Sequence, residues 1–272
     1  MSFSKTRPLV LVGAGKMGGA MLAGWIASGT DPDSILVIDP KPSDELLAMA
    51  SDKGFRKETK VPEGVTAGVL LLALKPQMMA EALDALKPAA DADTLVISVA
   101  AGTPASVFEE AFGDAAVVRV MPNTPAQVGR GMSVAFANAR TSDAQRETVD
   151  MLLAAIGASA WIESEDQMDA VTAVSGSGPA YVFYLTEALA AAGVKAGLPE
   201  ELAMTLARQT VCGAGELMYQ VETPAAELRR NVTSPNGTTA AALGVLMAED
   251  GLQPIMDAAV AAARKRSQEL AG

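Results

Sequence analysis

The chain has no histidine and a single cysteine, Cys212. Without histidine there is no Ser-His-Asp triad, no HExxH zinc site and no imidazole general base. One cysteine cannot close a disulfide within the chain, a usage that suits a reducing compartment. Long apolar runs are missing too: no stretch reaches the roughly 18 apolar residues of a transmembrane helix. The N-terminal run Pro8–Val12 is too short for a secretory h-region, and a glycine turn follows it at once. Positive charge is scarce: 21 Lys and Arg stand against 32 Asp and Glu, a net charge of −11. That balance argues against nucleic acid or an anionic membrane as main partner. The basic runs Arg229-Arg230 and Arg264–Arg266 lie in helical-looking segments and read as solvated faces. The expectation is a soluble, cytoplasmic protein with no metal, nucleic acid or membrane partner.

Half of the residues are hydrophobic, enough to fill a core. A length of 272 residues suggests about two domains. Short Val/Ile/Leu runs recur at Leu9–Val12, Ile35–Ile38, Val69–Leu74, Leu95–Val99 and Val117–Met121. They are continuous rather than alternating, as strands buried on both faces of a parallel sheet are. Helix-like stretches separate them: Met17–Ala27, Asp44–Lys53, Gln77–Leu86 and Pro104–Phe112. The rhythm predicts an α/β doubly wound sheet. A hairpin-like pair, Met132–Ala137 and Ala158–Ile162, flanks a helix at Ser142–Ala155 and is expected to extend that sheet. From Asp166 onward only helices are predicted: Tyr181–Ala192, Glu200–Tyr219, Ala225–Asn231, Thr239–Ala248 and Leu252–Leu270. The boundary falls in the acidic stretch Glu163–Asp166, giving domains 1–164 and 165–272.

Gly13-Ala-Gly15-Lys16-Met17-Gly18 is a GxGxxG loop between a strand and a helix, the context a dinucleotide site requires. Gly13 permits the tight turn, Gly15 lets backbone reach a pyrophosphate, and Gly18 lets helix and sheet pack closely. The helix N-terminus offers free N–H groups and partial positive charge. Asp39 ends the second strand, 21 residues after Gly18. A carboxylate there accepts from the adenosine ribose hydroxyls of NAD(H) and repels the extra phosphate of NADP(H). Lys41 could offset that repulsion, and Asp39 could equally be a turn-former before Pro40. The cofactor is therefore NADH or NADPH, with Asp39 favouring NADH.

Ala73–Pro76 with Lys75, Ala100-Ala101-Gly102 and Pro122-Asn123 all follow strands. They are expected at the C-terminal ends of the sheet, where such folds bind ligands. Lys75 reads as a loop and cofactor contact rather than a catalytic lysine. Ser234–Thr239 is a Pro/Gly turn opening a helix, which aims free N–H groups at an anion; the plainer reading makes Ser234, Thr238 and Thr239 helix caps. Val174–Tyr181 is a turn into the longest apolar helix, with Pro179 suited to its first turn. Cys212 and the methionines read as core packing. Val182–Ala192 is broken only by Thr186 and Glu187, more apolar surface than one chain can cover, so burial against another subunit is expected.

Ala73-Leu-Lys-Pro76, Ser98–Gly102, Met121-Pro-Asn-Thr-Pro125, Val174-Ser-Gly-Ser-Gly-Pro-Ala-Tyr181 and Val232-Thr-Ser-Pro-Asn-Gly-Thr-Thr239 stand in order along the chain. With the glycine loop they resemble the pyrroline-5-carboxylate reductase family over essentially the whole length. The family usually has glycine where Asn236 stands here; asparagine tolerates positive φ better than most residues.

The resemblance implies a Rossmann-type N-terminal domain and an all-α C-terminal dimerisation domain. It implies hydride transfer from NADH or NADPH to the C=N carbon of 1-pyrroline-5-carboxylate, the last step of proline biosynthesis. Gly13, Gly15, Lys16, Met17, Gly18, Asp39, Ala73, Lys75, Pro76, Ala100, Ala101, Gly102, Pro122 and Asn123 would hold the cofactor. Ser175, Gly176, Ser234, Gly237 and Thr238 would hold the substrate, with Thr239 against its nitrogen as the catalytic residue. The implied self-partner is an intertwined homodimer, often built further into a ring of dimers. A dehydrogenase of the β-hydroxyacid type competes less well, because the first lysine after Ser175 is Lys195, near that helix's end. A non-catalytic dinucleotide-binding regulator gives no reason for Val232–Thr239.

Overall fold

The structure, a computed structural model, describes residues 3–271. Residues 1, 2 and 272 of the expected domain ranges lie outside the described residues. Eight strands form one sheet: β1 (Leu9–Val12), β2 (Ile35–Ile38), β3 (Arg56–Glu58), β4 (Val69–Leu72), β5 (Leu95–Ser98), β6 (Ala116–Met121), β7 (Gly131–Ala137) and β8 (Gly157–Trp161). Their spatial order is β3-β2-β1-β4-β5-β6-β7-β8. The helices of this part are α1 (Lys16–Ala27), α2 (Asp44–Lys53), α3 (Met79–Leu86), α4 (Ala105–Phe112), α5 (Asp143–Ala154) and α6 (Met168–Val171).

The continuous apolar runs have the cause read from them: both faces of the sheet are covered. Leu9, Leu11, Ile35, Val37, Leu71 and Ile97 face Trp25 and Leu22 of α1, Leu46 of α2 and Leu152 of α5. Val10, Val12, Leu36, Leu70 and Val96 face Leu83 of α3 and Phe108 of α4. Each such side chain contributes about 1.5–3 kcal/mol on burial. α1 and α5 pack closely: a Cβ on Gly24 would lie 2.6 Å from the Ala155 carbonyl, and Trp25 donates to the Leu152 carbonyl at 2.9 Å. Just before β1 and β5, Arg7 donates to both oxygens of Asp91, which holds that carboxyl below its ordinary pKa.

The expectations for the last two strands, for Cys212 and for the methionines are corrected, and one strand is found that the sequence does not signal. The pair Met132–Ala137 and Ala158–Ile162 is not a hairpin: β7 and β8 run parallel, and β7 is antiparallel to β6. The intervening helix α5 is a crossover, and crossovers bring strands back parallel. β3 has the sequence Arg-Lys-Glu and carries no apolar signal; it is a short charged edge, the usual way a sheet is closed to further pairing. Cys212 is exposed rather than core. It lies on α8 (Glu200–Gln220), whose buried residues are Ala203 and Ala207. The next positions on that helical stripe are near 210, 211 and 214, so Cys212 falls off it. Several methionines are likewise exposed, among them Met78 at 50%, Met218 at 51% and Met247 at 57%, whereas Met21 and Met79 pack inside.

The remaining helices are α7 (Gly178–Lys195), α8, α9 (Ala225–Asn231), α10 (Thr238–Leu246) and α11 (Leu252–Ala271), close to the predicted spans. Residues 177–263 form one compact unit. Residues up to Gly176 form the other, together with the chain from Arg264. Within the helical unit α7 packs along α8 through Gly193, Ala203 and Leu198. Val182, Phe183, Tyr184, Leu185 and Leu189 of α7 stay exposed. Among the described residues no helix is long and apolar enough to cross a membrane.

Candidate functional site

The strand order reverses between β1 and β4, and in open α/β sheets ligands bind outside the strand ends at such a point. The glycine loop sits there. Gly13 has φ +87°, and a Cβ on it would meet the Ala73 carbonyl at 2.8 Å. A Cβ on Gly18 would lie 2.1 Å from the Gly13 carbonyl. Gly15 differs: nothing lies within 4 Å of its Cβ position. Two glycines thus serve the protein's own packing, and the third faces open space that a backbone-contacting ligand fits. Gly15 is also the residue before α1, with no side-chain cap on that helix, so its first N–H groups remain available.

Asp39 braces this loop. Its Oδ2 accepts from the Ala14 N–H at 3.0 Å and its Oδ1 from the Lys41 N–H at 2.9 Å. The turn-forming reading of Asp39 is therefore realised, and the same carboxylate still lines the space beside the loop. A cavity of about 420 Å³ is lined by Gly13, Gly15, Lys16, Met17, Asp39, Ala73, Lys75, Pro76, Ala100 and Ala101. A second, of about 550 Å³, lies against Gly15, Lys16, Asp39, Lys41 and Ser43. Ten of the fourteen expected cofactor residues thus line one cleft. Gly102 follows with φ +72°.

Pro122 is buried and Asn123 half-buried. The Asn123 amide is held by protein: its Oδ1 accepts from the Met132 N–H at 2.8 Å, and its Nδ2 donates to the Ser175 carbonyl at 3.1 Å and the Ser175 Oγ at 3.3 Å. Ser175 and Gly176 belong to a π-helical turn, Thr172–Gly176, between α6 and α7. Such turns are rare and frequently mark functional positions. A Cβ on Gly176 would collide with Met121 at 2.5 Å.

Two further residues are not predicted by the sequence. Glu165 Oε1 accepts from the Ala105 N–H at 2.8 Å and from Arg119 at 2.9 Å. It thereby ties the start of α4, just past the Ala100–Gly102 loop, to β6. Met121 is the other, as the wall behind Gly176. No local sequence signal marks either contact.

Ser234, Gly237, Thr238 and Thr239 lie in the helical unit. Asn236 has φ +58°, so asparagine holds the left-handed turn expected of it. The Gly237 N–H donates to the Ser234 carbonyl at 3.0 Å, closing the turn that opens α10. The residue at the cap is Gly237, with no side-chain cap. Ser234, Thr238 and Thr239 are therefore not caps of that helix, whose first-turn N–H groups have no partner within the helix.

A depression of about 530 Å³ at Trp25, Ser28, Asp31 and Ser34 lies at the opposite end of the sheet. The Ser28 and Ser34 hydroxyls there donate to backbone carbonyls of Trp25 and Asp31. Among the described residues no three His, Cys, Asp or Glu side chains gather as a metal ligand set.

Residues 165–270 match the family model described as pyrroline-5-carboxylate reductase dimerisation. Residues 8–102 match one described as NADP oxidoreductase, coenzyme F420-dependent. A pyrroline-5-carboxylate reductase of Pseudomonas aeruginosa is 42% identical, over 98% of this chain and 97% of its own. A solved reductase of that name from Coxiella burnetii superimposes with a TM-score of 0.90 at 34% identity, covering 98% of this chain and 99% of its own. One from Plasmodium falciparum, solved with NADP bound, gives 0.80 at 28% identity, covering 99% and 100%.

Proposed function

The chain belongs to the pyrroline-5-carboxylate reductase family, and from that membership we propose that it reduces 1-pyrroline-5-carboxylate to L-proline, the last step of proline biosynthesis. The observation that carries the reading is full-length likeness that takes in both the glycine-loop domain and the helical domain. The domain ranges 1–164 and 165–272 go with it, supported by the family match that begins at residue 165, while the compact helical unit itself spans residues 177–263.

A reduced nicotinamide supplies the hydride when bound. The cleft at the β1/β4 switch point fits such a dinucleotide, because Gly15 leaves room for its phosphates and α1 offers them N–H groups. The protein's own task is orientation and charge placement. A protonated cyclic imine is already electrophilic, so no strong acid or base is needed and the lack of histidine is no obstacle. The Ser234–Thr239 turn binds the substrate carboxylate through the N–H groups of α10 and the hydroxyls of Ser234 and Thr238. An acidic protein thereby holds an anion with uncharged donors. Thr239 stands against the substrate nitrogen and hydrogen-bonds it. Ser175 and Gly176 line the substrate side, and Ala100–Gly102 with Pro122 admit the nicotinamide ribose.

NADH is the preferred cofactor in this reading, since Asp39 keeps a negative charge beside the ribose position. The exposed apolar face of α7 is covered by a second copy; the match to a dimerisation model supports this. Further assembly into a ring of dimers, and a cytoplasmic setting suited to the lone cysteine, go with the same reading. The test is steady-state oxidation of NADH and NADPH with and without 1-pyrroline-5-carboxylate. Turnover that requires this substrate supports the reading, and none with either cofactor removes it.

A further inference from the structure

The Asn123 amide fixes more than its own position. A backbone N–H can only donate, so Met132 fixes Oδ1 toward itself. A carbonyl can only accept, so the Ser175 carbonyl independently fixes Nδ2. The amide orientation is thus determined from both sides. It follows that Ser175 Oγ, 3.3 Å from Nδ2, meets a donor and acts there as acceptor. A serine hydroxyl has one hydrogen. Among the described residues no protein acceptor takes it. Ser175 lies within the π-helical turn Thr172–Gly176, where Met121 leaves no room for a side chain on Gly176.

We infer that Asn123 is a positioning residue that sets the Ser175 hydroxyl as an outward hydrogen-bond donor, aimed at a carbonyl or carboxylate oxygen of the bound reactants. This rests on the reductase reading. Two oxygens fit that chemistry: the carboxamide oxygen of the nicotinamide and the carboxylate of the substrate. Asn123 itself then touches neither and works through Ser175.

The experiment is a double-mutant cycle of Asn123→Asp and Ser175→Ala, with KM for each reactant and kcat measured separately. The carboxylate introduced by Asn123→Asp keeps an acceptor for Met132 but can no longer donate, so the Ser175 hydrogen turns inward to it. Ser175→Ala should raise one KM roughly 3- to 30-fold with kcat little changed, as the loss of a uniform hydrogen bond does. A rise in the substrate's KM identifies the carboxylate, and a rise in the cofactor's identifies the carboxamide. Asn123→Asp should raise the same KM, and the double variant should be no worse than the poorer single one. Unchanged KM values in Ser175→Ala, or losses that multiply in the double variant, overturn the inference. Should Asn123→Asp fail to fold, Asn123→Ala replaces it in the cycle with the same non-additivity expected. Wild-type turnover is read in the same assay, so failure of the reductase reading is seen separately.

Discussion

The three glycines of the loop separate protein packing from ligand binding, and two substitutions measure the difference. In Gly15→Ala the new methyl meets nothing in the protein, and the backbone there (φ −68°, ψ −163°) is open to alanine. Losing glycine at a helix cap costs up to about 1 kcal/mol, and removing glycine's freedom in the unfolded chain returns about 0.4–1 kcal/mol. The ligand-free melting temperature should therefore stay within roughly 2 °C of wild type. The methyl does occupy the space where a pyrophosphate would approach. Losing one hydrogen bond to a charged group costs about 1.5–3 kcal/mol, or roughly 10- to 150-fold in affinity for NADH. In Gly18→Ala the methyl falls 2.1 Å from the Gly13 carbonyl, against about 3.3 Å for a close carbon–oxygen contact. The loop or α1 must move by about 1 Å, costing about 1–3 kcal/mol in overpacking and roughly 100-fold in cofactor affinity. Melting without ligand and fluorescence titration with NADH read both quantities. A Gly15→Ala protein that binds NADH normally, or that melts as early as Gly18→Ala, would refute the assignment.

Three other substitutions probe separate parts of the account. Thr239→Ala should lower kcat/KM roughly 10- to 1000-fold with the melting temperature unchanged, and normal kinetics would remove Thr239 from the reaction. Asp39→Asn should lower the ratio of kcat/KM for NADH over NADPH roughly 5-fold or more by removing a like charge; a constant ratio would mean the carboxylate only braces the loop. Glu165→Ala leaves Arg119, with 8% of its side chain exposed, without its partner. The expected loss is about 2–3 kcal/mol, below that of a fully buried pair because Glu165 is 26% exposed, and melting should fall by roughly 5–10 °C. A fall under about 2 °C would show the pair to be dispensable.

The sheet is readable in the sequence because burial on both faces leaves apolar runs, unbroken in β1, β2 and β4, ended by Ser98 in β5 and interrupted only by the buried Arg119 in β6. β3 is not, since three charged residues at an edge need no apolar face. The directions of β7 and β8 are hidden as well, because the pattern within a strand carries no information on its neighbour's polarity. The glycine loop is legible from conformational need: Gly13 and Gly18 have no room for a side chain. Asn123 with Ser175, and Arg119 with Glu165, are not, being contacts across 52 and 46 residues that only the folded sheet creates. Cys212 shows the limit of composition, because α8 buries only the stripe of Ala203 and Ala207 and exposes residues on its other faces that would otherwise pass for core.

The central claim is hydride delivery to an imine carbon, and isotope transfer tests it most directly. With reduced cofactor carrying deuterium at both nicotinamide C4 positions and 1-pyrroline-5-carboxylate as substrate, the account predicts L-proline carrying deuterium on the ring carbon that was the C=N carbon. Proline formed without that label, or cofactor oxidised with no proline formed, would contradict it.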